Sequence, residues 1–287
     1  MELQSGFKTW KAYAKVNLTL EVIGKRDDGY HEIVSVVQAI DLYDVLSFQP
    51  REHIYLSSNI PELASPNNLV LRAAKLLQDY TSSGSGVAIC LEKAIPLTSG
   101  MGGGSSDAAT TLRALNEIWR LNLTSEDLGK IALSLGSDIS FFLQSGGTAL
   151  VEGRGDKVTR LPSLIKTWIV LMKPPIDVPG KTRRMYAKLA PSHFTTGRFS
   201  QRMVQLLHRE EKITSSFCHN VFEDIAFFFF HGLEEYWNCF LAAGAEQVHL
   251  AGAGPTLFTL VEEKAKAEEI CRRLEKEGMD VYLAETL

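Results

Sequence analysis

Residues 96–107, PLTSGMGGGSSD, decide how this sequence is interpreted. Consecutive glycines let the backbone adopt positive φ and approach a ligand closely, because no Cβ intervenes. An amphipathic helical pattern begins directly afterwards, at Ala108. The first turn of that helix directs unpaired N–H groups and the positive end of its dipole to one place. We therefore predict a phosphate-binding loop, in which Ser105 and Ser106 add hydroxyl groups.

Two other phosphate-binding motifs are absent from the chain. The sequence contains no GxxxxGK[ST] and no GxGxxG after a predicted strand, which excludes a P-loop NTPase and gives no support to a Rossmann cofactor site. A flexible loop that happens to precede a helix is the alternative interpretation. The bracketing by Pro96 and Ser-Ser-Asp, and the strong periodicity of the helix, favour the phosphate loop.

The polar residues of the first predicted strand are the next candidates. Apolar residues alternate with polar ones from Ala12 to Val22, so Lys15 and Asn17 project from the same face. Strand rise places them about 7 Å apart. Asp138 follows a predicted helix that ends at Gly136, and a glycine turn, AGAGP, occupies residues 251–255.

Strands and helices do not alternate regularly, which favours an α+β fold over a doubly wound sheet. We predict a domain boundary near 154–163, giving domains over 1–158 and 159–287. The phenylalanine run 227–230 is expected in a helix core. Periodicity predicts strands over 12–22, 33–42, 45–49, 53–57, 87–91, 167–172, 256–261 and 280–284, and helices over 68–79, 108–119, 124–135 and 264–278.

Composition limits the class of protein. The 287 residues carry 30 Lys+Arg and 34 Asp+Glu, a net charge of −4, which gives no electrostatic footprint for nucleic acid or an anionic membrane. The four cysteines form no CxxC pair, so structural zinc is not expected. The N-terminus lacks a secretory pattern, and we expect a cytoplasmic monomer or weak homodimer.

Three segments resemble the signature motifs of the GHMP kinases: residues 14–18, 96–109 and 251–256. The string GKRDDGYHEI at 24–33, with IDLYD at 40–44, is similar to one branch of that superfamily. Its members phosphorylate a cytidine-diphosphate derivative of methylerythritol in non-mevalonate isoprenoid synthesis. Residues 136–142 and 153–156 are also similar to this branch.

The resemblance implies a two-domain GHMP kinase fold with an active site in a cleft between the domains. The N-terminal domain would be ribosomal protein S5 domain 2-like and the C-terminal domain ferredoxin-like. It implies transfer of the γ-phosphate of ATP, with Mg²⁺, to the 2-hydroxyl of the methylerythritol moiety. The partners would then be ATP and a small cytidine-diphosphate substrate.

Individual roles also follow from the resemblance. Asp138 matches the catalytic aspartate, a general base, and Lys15 the catalytic lysine, which stabilises charge; Asn17 would orient the hydroxyl. No side chains are assigned as metal ligands. The expected cytidine-substrate residues are Tyr30, His31, Thr182 and Tyr186. The expected ATP-binding residues are Asn68, Leu97, Thr98, Ser99, Gly100, Met101, Gly102, Gly103, Gly104, Ser105, Ser106 and Asp107.

Two other functions are compatible with part of this pattern. A sibling kinase of the homoserine or mevalonate type would share the loop but would not need the Tyr30-His31 string. A nucleotide-binding regulator that had lost catalysis would have no reason to keep both Lys15 and Asp138. Some positions depart from the family pattern, among them Ser140 in place of proline and Val221 in place of aspartate.

Overall fold

The computed structural model describes residues 6–144 and 146–287. These residues form two compact units that interleave along the chain. The first unit comprises residues 6–14, 43–95 and 102–144, and the second comprises 15–42, 96–101 and 146–287. The predicted domain boundary at residue 158 stays a prediction.

Both secondary-structure types occur throughout, which confirms the α+β class. The strands are β1 Lys8–Asn17, β2 Thr19–Lys25, β3 His31–Arg51, β4 Ile54–Ser58, β5 Gly86–Glu92, β6 Thr148–Gly153, β7 Lys157–Arg160, β8 Trp168–Met172, β9 His219–Asn220, β10 His249–Leu250, β11 Leu257–Val261 and β12 Val281–Glu285. The helices are α1 Leu69–Thr81, α2 Gly103–Ile118, α3 Ser125–Leu133, α4 Asp138–Gln144, α5 Lys181–Lys188, α6 Arg198–His208, α7 Glu223–Phe229, α8 Leu233–Ala242 and α9 Lys264–Lys276.

The first unit packs α1 to α4 with a small sheet. The second half of β3 pairs antiparallel with β5, with Val45 opposite Glu92, and β4 runs parallel to β5. Helix α2 buries Ala108, Leu112 and Leu115, which are spaced as its amphipathic pattern predicts. Asn68 caps α1, and a capping box formed by Thr124 and Asp127 begins α3 where the helix over 124–135 was predicted to start.

The second unit contains two sheets. In one, the first half of β3 lies between β2 and β6; β6 also pairs with β7, and β2 pairs in parallel with the short β9. The other has the order β10-β11-β8-β12, with every neighbouring pair antiparallel. Its core joins the apolar faces of β8, β11, α8 and α9 through residues such as Val170, Phe240, Leu257 and Ile270.

Three local predictions were wrong. The strand predicted over 12–22 divides at Leu18 into β1 and β2, whereas the two strands predicted over 33–42 and 45–49 form one continuous β3. Phe228 is 89% exposed although Phe230 is fully buried, so the phenylalanine run is only partly core. Helix α7 is a single seven-residue segment, and its two sides face different environments.

Among the described residues, every helix is too short or too polar to span a membrane.

Candidate active site

The second unit brings three of the sequence motifs into contact. The backbone N–H of Lys15, in β1, donates to the carbonyl of Met101 at 3.0 Å. Gly100 has φ 89°, and a Cβ there would lie 2.1 Å from the carbonyl oxygen of Ala251. A Cβ on Gly252 would lie 2.8 Å from the carbonyl oxygen of Gly100. Glycine is therefore required at both positions, because the two turns pack backbone against backbone.

Lys15 is held by a chain of hydrogen bonds in the same unit. Its Nζ donates to Asn17 Oδ1 at 2.6 Å, and Asn17 Nδ2 donates to Ser35 Oγ at 2.8 Å. Lys15 and Asn17 are only 6% and 7% exposed. The two side chains share a strand face, as the alternation predicts. Asn17 thus positions the ammonium group of Lys15, in addition to the role in orienting the substrate hydroxyl that was expected from the sequence.

Asn220 fixes the glycine turn beside Lys15. Its Nδ2 donates to the carbonyls of Leu250 and Gly252 at 2.7 and 2.8 Å, and its Oδ1 accepts from the N–H of Phe222. A Cβ on Gly252 would stand 3.2 Å from Lys15 Nζ, so this turn forms part of the lysine's surroundings. The positional role of Asn220 was not predicted from the sequence.

The C-terminal part of the glycine loop belongs to the first unit. Gly102, with φ 73°, is the N-cap of the sixteen-residue helix α2. Because glycine offers no capping side chain, the first-turn N–H groups are left for another acceptor. Gly104 is exposed and Ser105 half-buried, whereas Ser106 and Asp107 are each 2% exposed. The opening of α2 therefore has the features of an anion-binding site, and the buried pair faces the protein interior.

A buried ion-pair cluster lies beneath this helix start. Lys93 Nζ donates to Asp107 Oδ2 at 2.8 Å and also to Asp44 Oδ2. Asp44 Oδ1 accepts from the backbone N–H groups of Ala94 and Ile95. Burial, reinforced by the charge of Asp44 and opposed by Lys93, raises the pKa of Asp107 to about 7. Asp107 was expected in the ATP loop, and its contacts in the structure are those of a structural ion pair.

The two remaining candidates of the first unit occupy helix starts. Asn68 Oδ1 accepts from Val70 N at 2.8 Å, and Asn68 Nδ2 donates to the carbonyl of Leu63 at 2.9 Å. The structure thus gives Asn68 a capping role, and its place near adenine stays a prediction. Asp138 is the first residue of α4, and its side chain is exposed. A carboxylate can accept the proton of an alcohol that is bound beside it.

The aromatic candidates converge in the second unit. The rings of His31 and Tyr186 stack, with centroids 5.1 Å apart and planes at 26°. Tyr30 is 54% exposed at the β2–β3 turn, with the Arg154 guanidinium 5.5 Å from its ring centroid. Burial and the charge of Lys25 lower the pKa of His31, which favours the neutral imidazole. This cluster offers π surfaces and a neutral ring able to donate or accept a hydrogen bond.

Helix α5 carries the other two residues of interest. Thr182 is exposed in its first turn, on the same helix face as Tyr186. Lys181 begins the helix and is only 8% exposed. Its Nζ has no hydrogen-bond partner among the described residues. Lys181 was not predicted as a site residue, because a lysine in a helix is usually solvated. The sequence feature that could have indicated its burial is its four-residue spacing from the apolar Met185.

Family models match both halves of the chain. The model of the GHMP kinases N terminal domain matches residues 68–146, and that of the GHMP kinases C terminal domain matches residues 204–280. A 4-diphosphocytidyl-2-C-methyl-D-erythritol kinase from Dehalococcoides mccartyi is 44% identical over 97% of this chain and 98% of its own length. The chain belongs to this family of GHMP kinases.

Solved structures agree with that membership. The crystal structure of a 4-(cytidine 5'-diphospho)-2C-methyl-D-erythritol kinase superposes with a TM-score of 0.83 and 32% identity, covering 97% of this chain and 99% of the other. A homoserine kinase from Cytophaga hutchinsonii gives a TM-score of 0.72 at 18% identity, covering 99% and 96%, which shows the shared fold alone. The predicted GHMP kinase fold is confirmed.

Proposed function

We propose that this chain transfers the γ-phosphate of ATP to the 2-hydroxyl of 4-diphosphocytidyl-2-C-methyl-D-erythritol, giving the 2-phosphate and ADP. It is a small-molecule kinase of the non-mevalonate isoprenoid route. The observation that carries the substrate class is the stack of His31 on Tyr186, beside the exposed Tyr30. Tyr30 and His31 belong to the string that distinguishes this branch from its siblings, and Tyr186 is the expected second aromatic residue.

GHMP kinases use ATP as phosphate donor, and two features of this chain suit a triphosphate. The first turn of α2 presents backbone N–H groups behind Gly102, and Lys15 presents a buried ammonium group held by Asn17. Phosphoryl transfer demands little covalent work from a protein, and positioning and charge stabilisation supply most of the rate enhancement. This chain supplies both positioning and charge stabilisation through Lys15, because Asn17 and the two glycine turns hold that side chain in place.

We assign Asp138 as the general base and Lys15 as the charge stabiliser. In the reaction, the alcohol oxygen forms a bond to the γ-phosphorus while the bond from that phosphorus to the β–γ bridging oxygen breaks. The alcohol proton passes to the carboxylate of Asp138. Lys15 interacts with the negative charge of the transferred group, and ADP leaves with the bridging oxygen.

Magnesium would enter as part of the nucleotide substrate. No group of three acidic, histidine or cysteine side chains able to hold a metal is present among residues 6–144 and 146–287. Mg²⁺ commonly keeps several waters and binds through substrate phosphates, so it suits delivery as Mg-ATP.

The test of substrate identity is ADP release from Mg-ATP with a panel of acceptors. Turnover is expected only with 4-diphosphocytidyl-2-C-methyl-D-erythritol, and not with homoserine, mevalonate or galactose. Turnover with one of the other alcohols would replace the substrate assignment and keep the kinase. If no acceptor supports ADP release while ATP binds, the chain is a nucleotide-binding protein without this activity.

The roles of Asp138 and Lys15 are tested by Asp138→Asn and Lys15→Ala. General acid–base catalysis contributes about 10²- to 10⁴-fold, so Asp138→Asn is expected to lower kcat by that factor with unchanged circular dichroism. Lys15→Ala is expected to lower kcat about 10²- to 10³-fold, as the loss of an electrostatic stabiliser does. Near-normal turnover in either folded variant would remove that residue from the mechanism.

A further inference from the structure

Lys181 has the features of a binding cation. It is 8% exposed, and its Nζ has no hydrogen-bond partner in the described part of the chain. Two other lysines of the second unit have partners. Lys15 Nζ donates to Asn17 Oδ1, and Lys173 Nζ donates to the carbonyls of Pro174 and Ile176. Burial of an amine without a partner is costly, so a purely structural position on this helix face would favour an apolar residue.

The electrostatic surroundings of Lys181 are positive. The charges of Lys173 and Lys15 act on it, opposed by the carboxylate of Asp177. Desolvation and the two lysines lower its pKa to about 7. Lys181 also stands at the first position of α5, where the helix dipole is positive. The charges of the two lysines and the helix dipole become favourable when an anion is bound, whereas the dipole alone would disfavour a lysine here.

The charge of Lys15 is the link to the reaction. Lys15 and Lys181 belong to the same unit, and the neighbouring residue Thr182 is an expected substrate contact. We propose that Lys181 is a second phosphate-binding cation that works beside Lys15. It binds a phosphate oxyanion, either of the substrate's diphosphate or of the phosphoryl group being transferred. The identity of the phosphate in this inference rests on the proposed function. The inference that Lys181 binds an anion rests on the structure alone.

The binding of an anion is tested without turnover by nuclear magnetic resonance. Lysine labelled at ¹³Cε reports the titration of Lys181, assigned by its absence in Lys181→Met. Inorganic pyrophosphate is the probe. An opposite charge close to an ionisable group shifts its pKa by about 1–3 units, so saturating pyrophosphate is expected to raise the apparent pKa of Lys181 by that amount. An unchanged titration at saturation would overturn the proposal.

Kinetics distinguish the two phosphates. Because a hydrogen bond to a charged group is lost, Lys181→Met is expected to lower kcat/KM roughly 10- to 100-fold. If Lys181 binds the substrate's diphosphate, KM for the acceptor rises and the affinity for cytidine diphosphate falls. If it binds the transferred group, kcat falls and KM is unchanged.

The matched control is Lys188→Met, which removes an exposed lysine from the last turn of the same helix. Its kinetic constants are expected to match those of the wild type. Equal constants for Lys181→Met and the wild type would overturn the proposal. If pyrophosphate shifts the Lys181 titration but no acceptor is phosphorylated, the anion site stands and the proposed function fails.

Discussion

Two buried lysines, one in each unit, have opposite surroundings. The side chain of Lys93 is 4% exposed and lies between the carboxylates of Asp44 and Asp107. Lys181 is buried to a similar degree without a hydrogen-bond partner among the described residues, and two other lysines act on it. Burial alone therefore does not reveal what a lysine does. The nature of the groups around its ammonium separates a structural role from a binding role.

The difference follows from the free energy of burying a charge. Transfer of an ion out of water costs several kcal/mol, and only a well-placed opposite charge compensates for it inside the protein. The chain itself provides that charge to Lys93. For Lys181, the charge of Asp177 is opposed by two lysines and Nζ has no hydrogen-bond partner among the described residues, so we expect a ligand to provide it. Stability is therefore expected to depend on Lys93, and ligand affinity on Lys181.

Lys93→Met gives the largest expected effect on stability. The substitution leaves two buried carboxylates without their cation, which is expected to lower the free energy of unfolding by about 3–5 kcal/mol. Chemical denaturation monitored by circular dichroism measures this loss. A loss below about 1 kcal/mol would show that the cluster is not structural, and the contrast between the two lysines would fail.

Asn220→Ala tests whether the hydrogen-bond partners of a buried polar residue, and not the unit in which it lies, determine how much it contributes to stability. Asn220 is a buried polar residue of the second unit with hydrogen bonds to three backbone groups. Its removal leaves the carbonyls of Leu250 and Gly252 without this donor, and we expect a loss of about 1–3 kcal/mol by the same denaturation measurement. An unchanged free energy of unfolding would mean that hydrogen-bond partners do not predict stability in this unit.

Lys181→Met is expected not to lower stability, in contrast to Lys93→Met. Because no native partner is lost and a buried charge is removed, the ligand-free variant is expected to be as stable as the wild type within about 1 kcal/mol, or more stable. The control is Lys188→Met, with the lysine exposed. A loss as large as that of Lys93→Met would contradict the binding role and make Lys181 a structural residue.

The pH dependence of stability is expected to have opposite signs for Asp107 and Lys181. Asp107 has a folded-state pKa raised to about 7, so its contribution to stability is present below pH 4 and is lost as pH rises to 7. Lys181 has a folded-state pKa lowered to about 7, so its contribution is present above pH 10.5 and is lost as pH falls to 7.

Unfolding free energies measured across pH 4–10 check both signs. Asp107→Asn is expected to flatten the profile between pH 4 and 7, and Lys181→Met to flatten it between pH 7 and 10. Profiles of both variants parallel to that of the wild type would contradict the assigned surroundings of these residues.

Much of the fold could be predicted from local patterns. The capping box of Thr124 and Asp127, the apolar face of α2 and the shared strand face of Lys15 and Asn17 follow from short-range spacing. The continuity of β3 could not be predicted, because Asp44 interrupts the apolar alternation. Its contacts with Lys93, 49 residues away in sequence, and with the N–H groups of Ala94 and Ile95 explain why this carboxylate is buried in a strand.

The candidate site, like the fold, could be predicted where short sequence motifs determine it. The glycine motifs indicated phosphate chemistry, and the structure brings Gly100, Gly252 and Lys15 together in one unit. Asn220 and Lys181 were missed because their importance depends on tertiary contacts. Asn220 holds a turn 30 residues later in the chain, and the position of Lys181 is unusual because its buried Nζ has no hydrogen-bond partner among the described residues.

The most direct test of the contrast between the two lysines is the free energy of unfolding at pH 7 as a function of pyrophosphate concentration. A ligand that binds only the folded state stabilises it by an amount that grows with the ratio of its concentration to its Kd. The wild type and Lys188→Met are expected to gain about 1–3 kcal/mol more than Lys181→Met at saturating anion. Equal gains in all three proteins would contradict the claim that Lys181 is buried to bind a phosphate.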